Sequence, residues 1–131
     1  MPSKLLGIDY GEKRIGLALS DPLKIIASPY KIINNDQTSI HFILELIKKE
    51  NIEQIIIGLP LNMNGTTGFQ AKIVIDFKDQ LKEQVNIPIV FEDERLSSKK
   101  VKEVNKDLKV KNEYIDDKAA AIILQNYLDY N

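Results

Sequence analysis

Hydrophobic positions in the first third of the chain favour extended strands. Short apolar runs cover residues 4–9 and 15–19 with a glycine-containing turn between them, and a third run covers residues 25–33. Pro29 lies inside the third run. Because proline cannot donate to a strand ladder, it indicates an edge strand or a bulge. This part of the chain therefore predicts three consecutive strands in a meander.

The pattern then alternates between helices and apolar strands. Isoleucine and leucine residues spaced i, i+3, i+4 and i+7 predict an amphipathic helix over residues 38–50 that Ser, Thr or Asp could cap. Residues 52–58 form a β-branched apolar run typical of an interior strand covered on both faces. A loop, a helix over residues 69–84, a short strand over 87–91 and a final helix after Ile115 follow.

These elements come in the order β-β-β-α-β-α-β-α, with or without one further helix before the last. That order predicts an α/β fold, a mixed sheet with helices on its faces. The chain has 131 residues, enough for one hydrophobic core, and shows neither an internal repeat nor a linker. We therefore expect a single domain over residues 1–131.

Composition narrows the classes of protein that the chain could represent. The longest apolar runs fall far short of the roughly 18 to 20 residues of a membrane span, and Gly7 and Asp9 interrupt the start too early for a signal peptide. We therefore expect a cytoplasmic protein without a membrane partner. Cysteine is absent, which excludes thiolate chemistry and Cys-ligated metals. A metal would need oxygen ligands or the lone His41, which lies on the polar side of its helix and is predicted to be a surface residue.

The distribution of charge along the chain says more about a possible nucleic-acid partner than the net charge does. The formal net charge of −1 and the pI near 5.9 argue against a nucleic-acid partner. Residues 95–111, however, hold seven basic and two acidic side chains, a local charge of +5 that leaves −6 for the rest. This basic stretch predicts a surface that binds phosphate groups.

Acidic residues occur at three places where predicted elements begin or end. Asp9 ends the first strand, three acids at residues 92–94 follow the strand over 87–91, and Asp116 with Asp117 opens the final helix. Each has a simpler explanation: a turn residue, a solvated edge and a helix N-cap. Taken together, they predict carboxylates that converge on Mg²⁺ or Mn²⁺, as in sites where two ions about 4 Å apart act on a phosphodiester.

Two glycine-containing segments leave alternatives open. Residues 7–16 have neither P-loop nor G-x-G-x-x-G spacing. Lys13 and Arg14 form either a solvated basic turn or a contact with a phosphate backbone. The loop over residues 62–68 is either a structural turn built on Asn64 and Gly65 or a phosphate-contact loop at a helix N-terminus.

Four separated strings span nearly the whole chain: GIDYGEKRIGLALSD, GLPLNMNGTTG, FEDERLSS and IDDKAAAIILQNYL. In sequence and in order they resemble the YqgF family, also called RuvX-like or pre-16S rRNA nucleases. The resemblance implies a ribonuclease H-like fold, with a mixed five-stranded sheet and helices on both faces, similar to the RuvC Holliday-junction resolvases. Ser97 and Ser98 stand where the family more often has threonines.

The same resemblance implies the roles of individual residues. Asp9 corresponds to the central metal-bridging carboxylate, Glu94 to the second and Asp116 to the third catalytic acid, with Asp117 as an adjacent substitute or helper ligand. The implied cofactor is Mg²⁺ or Mn²⁺, in two ions. With the basic stretch included, the expected nucleic-acid contacts are Lys13, Arg14, Asn64, Gly65, Arg95, Lys99 and Lys100.

The leading functional hypothesis is a divalent-metal-dependent nuclease acting on structured RNA, in 5′-end maturation of pre-16S rRNA during ribosome biogenesis. Two alternatives stay open: a resolvase-like endonuclease acting on branched DNA, and a non-catalytic nucleic-acid-binding factor that associates with ribosome-assembly intermediates. The chain could be a monomer or a homodimer, and a two-fold dimer would favour the resolvase. ATPases with a related Asp-x-Gly hairpin need two lobes, and 131 residues supply one.

Overall fold

A computed structural model describes residues 2–94 and 112–130 of the chain, with side chains described for residues 2–94 and 118–130. These residues alternate between strands and helices as the hydrophobic pattern predicts. In chain order the elements are β1 (Lys4–Tyr10), β2 (Arg14–Ser20), β3 (Ala27–Asn34), α1 (Ser39–Glu50), β4 (Ile52–Leu59), α2 (Phe69–Lys82), β5 (Ile89–Asp93) and α3 (Asn112–Tyr130).

The strands form one mixed five-stranded sheet in the order β3-β2-β1-β4-β5. The first three strands are an antiparallel meander, and β1, β4 and β5 pair in parallel. The predicted α/β class and five-stranded sheet are confirmed. Pro29 lies in the edge strand β3, where the ladder shifts register opposite Ala18. Pro29 therefore occupies the position that its missing N–H allows.

Helices cover both faces of the sheet, because successive side chains of each strand point to opposite faces. One face packs Ile8 of β1 and Ile57 of β4 against α1 and α2, with Phe77 among the buried side chains. The other face packs Leu5 of β1 and Ile56 of β4 against α3. Both faces of β4 are therefore buried, as its uninterrupted apolar run predicts.

Helix α3 packs directly against the backbone of β1 at Gly7, which has no side chain. A Cβ at this position would meet Leu124 Cβ at 2.8 Å and the Ala120 carbonyl oxygen at 3.0 Å. Further along the helix, the Tyr127 hydroxyl oxygen accepts a hydrogen bond from the side-chain amide of Gln54, near the start of β4. The helix thus runs antiparallel to β1 and β4, and its N-terminal half lies towards the carboxyl ends of these strands.

Gln125 joins α3 to the segment that leads into β3. Its Oε1 accepts a hydrogen bond from the Ala27 N–H at 2.8 Å, and its Nε2 donates to the Ile25 carbonyl oxygen at 2.9 Å. We expect Gln125→Ala to lower the free energy of unfolding by about 1–2 kcal/mol, because both backbone groups lose their partner. Urea unfolding measures this change. Gln70→Ala, at an exposed position of α2, is the control and should be near neutral.

Some predicted boundaries were wrong. The third strand begins at Ala27 instead of residue 25, because Asp21 Oδ1 accepts hydrogen bonds from the Ile25 and Ile26 N–H groups and folds this segment into a turn. Strand β5 extends to Asp93, two residues beyond the apolar run, because its pairing with β4 continues.

Helix ends also differ from expectation. Thr38 is the N-cap of α1 but makes no side-chain capping hydrogen bond, since its Oγ1 donates to Asp36 instead. Helix α3 is already formed at Asn112, so Asp116 lies inside the helix and the N-cap interpretation of Asp116 is wrong. Among the described residues, no helix is both long and apolar enough to cross a membrane.

Candidate functional site

The candidate site lies where the three parallel strands end. Ile8 of β1 pairs with Ile57 of β4, so the next residues, Asp9 and Gly58, lie side by side. Gly58 in turn pairs with Glu92 of β5. Carboxyl ends of neighbouring parallel strands are the usual place for ligand sites in α/β sheets, because their loops diverge there. Sheet topology alone therefore brings Asp9 close to the acidic end of β5.

Glu94 follows β5 directly and turns its carboxyl group back over the sheet. Its Oε1 lies in the space that a Cβ of Gly58 would fill, and Ile123 Cδ1 of α3 borders the same space at 2.5 Å from that Cβ position. The Glu94 carboxyl also forms a hydrogen bond with the Asp9 carboxyl. Two of the predicted acids, Asp9 and Glu94, are thus in contact although 85 positions separate them.

Contact between two carboxyl groups changes the acidity of Glu94. Burial disfavours its charged form, and the negative charge of Asp9, the hydrogen bond with Asp9 and the charge of Asp93 act in the same direction. Together they raise the pKa of Glu94 from 4.5 to about 7. Near neutral pH, the pair can therefore share one proton, or lose it when a cation takes its place.

These two residues have the chemistry that a hard divalent cation requires. Carboxylate oxygens are the preferred ligands of Mg²⁺ and Mn²⁺. Asp9 and Glu94 are both half-buried, and a cation bound between them would offset the repulsion that raises the pKa of Glu94. Among the described side chains, no group of three acids or histidines is placed to hold a metal ion. Asp9 and Glu94 therefore fit as part of a ligand set that needs further oxygen donors.

Asp116 and Asp117 are the candidates for the missing donors. Both lie in α3, but their side chains fall outside the described residues. Along the backbone of α3, Asp116 lies about one turn before Ala120. Ala120 contacts the sheet at Gly7, two residues before Asp9 on the same face of β1. That Asp116 supplies the third acid stays a prediction.

Lys13 and Arg14 lie at the turn between β1 and β2, adjacent in sequence to the strand that carries Asp9. Both side chains are exposed. The turn is tight, because the Gly11 N–H donates to the Arg14 carbonyl oxygen and a Cβ at Gly11 would lie 2.5 Å from that oxygen. Asn35 holds the turn through two further hydrogen bonds. Its side-chain amide donates to the Gly11 carbonyl oxygen, and its backbone N–H donates to the Lys13 carbonyl oxygen.

Asn64 and Gly65 lie in the loop between β4 and α2, and the loop is held by its own polar groups. Asn64 Oδ1 accepts hydrogen bonds from the N–H and hydroxyl groups of Thr66, and Asn62 Nδ2 donates to the same hydroxyl oxygen. Gly65 has a positive φ of 87°, which glycine adopts without strain. The structural-turn interpretation of Asn64 and Gly65 therefore accounts for their geometry, and a role in phosphate contact stays a prediction.

The remaining predicted contacts, Arg95, Lys99 and Lys100, lie outside the described residues. His41 is exposed, as predicted, and its Nε2 lies 4.0 Å from the carboxylate of Glu45, one helical turn away. Sequence reasoning missed Gly58, which makes room for Glu94, and Asn35, which fixes the basic turn. Gly58 begins the string GLPLNMNGTTG, but no local pattern shows the role of either residue, because each acts on a segment far away in the chain.

Comparison with other sequences places the chain in a family. A family model described as "RuvX: Holliday junction resolvase" matches residues 3–130. A protein of Roseiflexus sp. (strain RS-1), named "Putative pre-16S rRNA nuclease", is 43% identical over 134 residues, covering 98% of this chain and 95% of its own length. A protein of Sulfurihydrogenibium sp. (strain YO3AOP1) with the same name is 43% identical, over 97% and 90% of the two chains.

Comparison with solved structures identifies the fold. RuvC of T. thermophilus in complex with a Holliday junction substrate superposes with a TM-score of 0.61, at 12% identity over 98% of this chain and 97% of its own. The resolvase of fowlpox virus in complex with Holliday junction DNA has a TM-score of 0.52, at 14% identity over 96% and 97%. These likenesses show a ribonuclease H-like fold of the RuvC type. With the sequence match over nearly its full length, the chain belongs to the RuvX family.

Proposed function

We propose that this protein is a divalent-metal-dependent nuclease whose centre is built on Asp9 and Glu94. The observation that carries the proposal is the contact between these two carboxyl groups at the carboxyl ends of β1 and β5. Contact between two half-buried carboxylates costs free energy, because their charges repel each other. A bound cation would offset that repulsion, and the contact therefore supports a cation site.

In the proposed reaction, Asp9 and Glu94 would hold Mg²⁺ or Mn²⁺, in two ions, with Asp116 completing the ligand set and Asp117 as an adjacent donor. When bound, the cations polarise the scissile phosphodiester and acidify the attacking water. The attacking water gives one proton to solvent as its oxygen bonds to phosphorus, the bond from phosphorus to the 3′ oxygen breaks, and that oxygen takes up a proton from solvent. The products are a 3′-hydroxyl and a 5′-phosphate. Glu94 must first release the proton that it shares with Asp9.

The proposed substrate is structured RNA, the 5′ region of pre-16S rRNA. The names of relatives more than 40% identical over nearly the whole chain support this substrate over branched DNA. The exposed cations Lys13 and Arg14 lie beside the site where they could contact a phosphate backbone. We further propose that residues 1–131 form one domain that acts in the cytoplasm on ribosome-assembly intermediates.

A second candidate, a resolvase acting on branched DNA, is favoured by the family description and the RuvC-like fold. Resolution requires cuts in two symmetry-related strands, and hence two active sites related by a two-fold axis. A stable dimer in solution would therefore favour the resolvase, and a monomer would favour the RNA nuclease.

Cleavage assays with both substrates test the proposal. Purified protein is incubated with a pre-16S rRNA fragment and a four-way DNA junction, each with Mg²⁺, Mn²⁺ or a chelator. We expect cleavage of the RNA with either metal, none with the chelator, and product ends carrying 5′-phosphate. Junction cleavage by a dimer, with intact RNA, would instead establish the resolvase. Binding without cleavage under all conditions would establish the non-catalytic factor.

The basic turn leads to a separate prediction about RNA affinity. Lys13→Ala and Arg14→Ala should each weaken RNA binding at all sequences and reduce the salt dependence of log K by about 1, because each removes one phosphate contact. Fluorescence anisotropy at several salt concentrations measures both effects. Lys82→Ala, at the opposite end of α2 from the site, is the matched control. If the two turn variants behave like this control, the turn does not contact RNA.

A further inference from the structure

Gly58 is a glycine in a strand, where this residue needs a particular reason. Glycine weakens a strand and commonly marks a place where another group approaches the backbone closely. Backbone conformation does not explain it, because among the described glycines only Gly65 has a positive φ. What requires glycine at position 58 is therefore the space beside it.

The atoms around that space belong to the candidate site. A Cβ at position 58 would overlap Glu94 Oε1, lie 2.9 Å from Glu94 Cδ and lie 2.5 Å from Ile123 Cδ1. Protein interiors do not accommodate contacts this short without a shift. Two of these three atoms belong to the Glu94 carboxyl group. This group is therefore the main occupant of the space beside Gly58.

Gly7 provides a comparison on the adjacent strand and the same face. The atoms nearest to a Cβ at Gly7 belong to Leu124 and to the Ala120 backbone, so Gly7 allows close helix packing. None of these nearest atoms is part of a carboxyl group. The two glycines therefore serve different purposes: Gly7 sets the distance of α3 from β1, and Gly58 leaves room for an acid.

We propose that Gly58 is a positioning residue that seats the Glu94 carboxyl group against Asp9. The proposal rests on the proposed function for its effect on cleavage, but its structural part stands on the geometry alone. A methyl group at position 58 would push against two neighbours. The Glu94 carboxyl is the far end of a flexible side chain, whereas Ile123 is buried in the core between α3 and the sheet. Glu94 therefore moves away from Asp9 while the fold survives.

The effect of Gly58 on the Glu94 carboxyl can be distinguished from its effect on packing against Ile123 by comparing four proteins. These are the wild type, Gly58→Ala, Ile123→Val and the double variant. Ile123→Val removes the Cδ1 atom that the new methyl group would touch, so the double variant relieves the packing conflict and leaves the conflict with Glu94. We expect Gly58→Ala to lower Tm and the double variant to return to the Tm of Ile123→Val. In both proteins that carry Gly58→Ala, Mn²⁺ affinity measured by calorimetry should fall about 10- to 100-fold.

Kinetics and metal-free structure complete the test. In the double variant we expect kcat to fall about 100-fold, with RNA affinity in chelator unchanged, because a misplaced ligand impairs the chemical step without altering phosphate contacts. The crystal structure of the metal-free double variant should show the Glu94 carboxyl separated from Asp9. Recovery of Mn²⁺ affinity and kcat together with Tm, or a Glu94 carboxyl still on Asp9, would overturn the proposal.

Failure of this inference can be told apart from failure of the proposed function. If the wild type neither binds Mn²⁺ nor cleaves RNA, the proposed function is wrong. The metal-free crystal structure still decides whether Gly58 seats Glu94. If the wild type cleaves and the double variant cleaves equally well, the nuclease stands and the positioning role does not.

Discussion

Asp9→Asn should abolish metal-dependent cleavage while leaving the protein folded. The substitution keeps the shape of the side chain but removes the charge that faces Glu94 across the shared hydrogen bond. Loss of a group on which charge stabilisation in the transition state depends costs about 10²- to 10³-fold in rate, and Asp9 is expected to reach at least that range. Single-turnover cleavage of a pre-16S rRNA fragment measures the effect.

The folded state provides the control for this variant. Removing the charge of Asp9 relieves repulsion with Glu94, so the metal-free Asp9→Asn protein should have a Tm equal to or above that of the wild type. A second control, Asp76→Asn in the middle of α2, changes one carboxylate away from the strand ends and should retain full activity. Undiminished cleavage by Asp9→Asn would remove Asp9 from the proposed centre.

Stability of the metal-free protein should decrease as pH rises from about 4.5 to about 7. The pKa of Glu94 is raised to about 7 in the folded protein from an ordinary 4.5, chiefly by burial and by Asp9. The folded state therefore binds this proton more tightly than the unfolded chain does. Its stabilising contribution, about 3 kcal/mol at most, is fully present below pH 4.5 and is lost as pH rises through about 7.

Urea unfolding in the presence of a chelator, from about pH 4.5 to pH 8.5, measures this contribution. Glu94→Gln should remove the decrease, because its amide stays neutral throughout. Exposed carboxylates with lowered pKa, Asp21, Asp36 and Glu53, act in a lower window: their contributions are lost as pH falls through their depressed pKa values. A wild-type profile parallel to that of Glu94→Gln between pH 5 and about pH 8 would contradict the assignment.

Much of the fold follows from hydrophobic periodicity, because burial on one or both faces leaves a readable pattern. The uninterrupted run in β4 and the stripe on α1 are examples, and both elements lie close to where the sequence predicts them. Hydrophobic periodicity gives a wrong strand boundary where hydrogen bonds from a side chain determine the backbone conformation. Ile25 and Ile26 are apolar enough for a strand, yet Asp21 binds their N–H groups and keeps them out of the sheet.

In the candidate site, too, some residues could be predicted from the sequence and others depend on the tertiary fold. Asp9 could be predicted because it follows directly on an apolar run, and the end of β5 could be predicted to be acidic. The contact between Asp9 and Glu94 required the parallel order β1-β4-β5, which the sequence does not state directly. Gly58 could not be predicted at all, since its role depends on Glu94 and Ile123, which come from two other parts of the chain.

Binding of Mn²⁺ by the metal-free protein tests most directly whether Asp9 and Glu94 form a divalent-cation centre. Isothermal titration calorimetry near pH 7, repeated in buffers of different ionisation enthalpy, counts the protons released. We predict saturable binding by the wild type with release of about half a proton from Glu94, since its pKa is about 7. Asp9→Asn should bind far more weakly. Identical titrations of the wild type and Asp9→Asn, with no proton released by either, would contradict this account of the site.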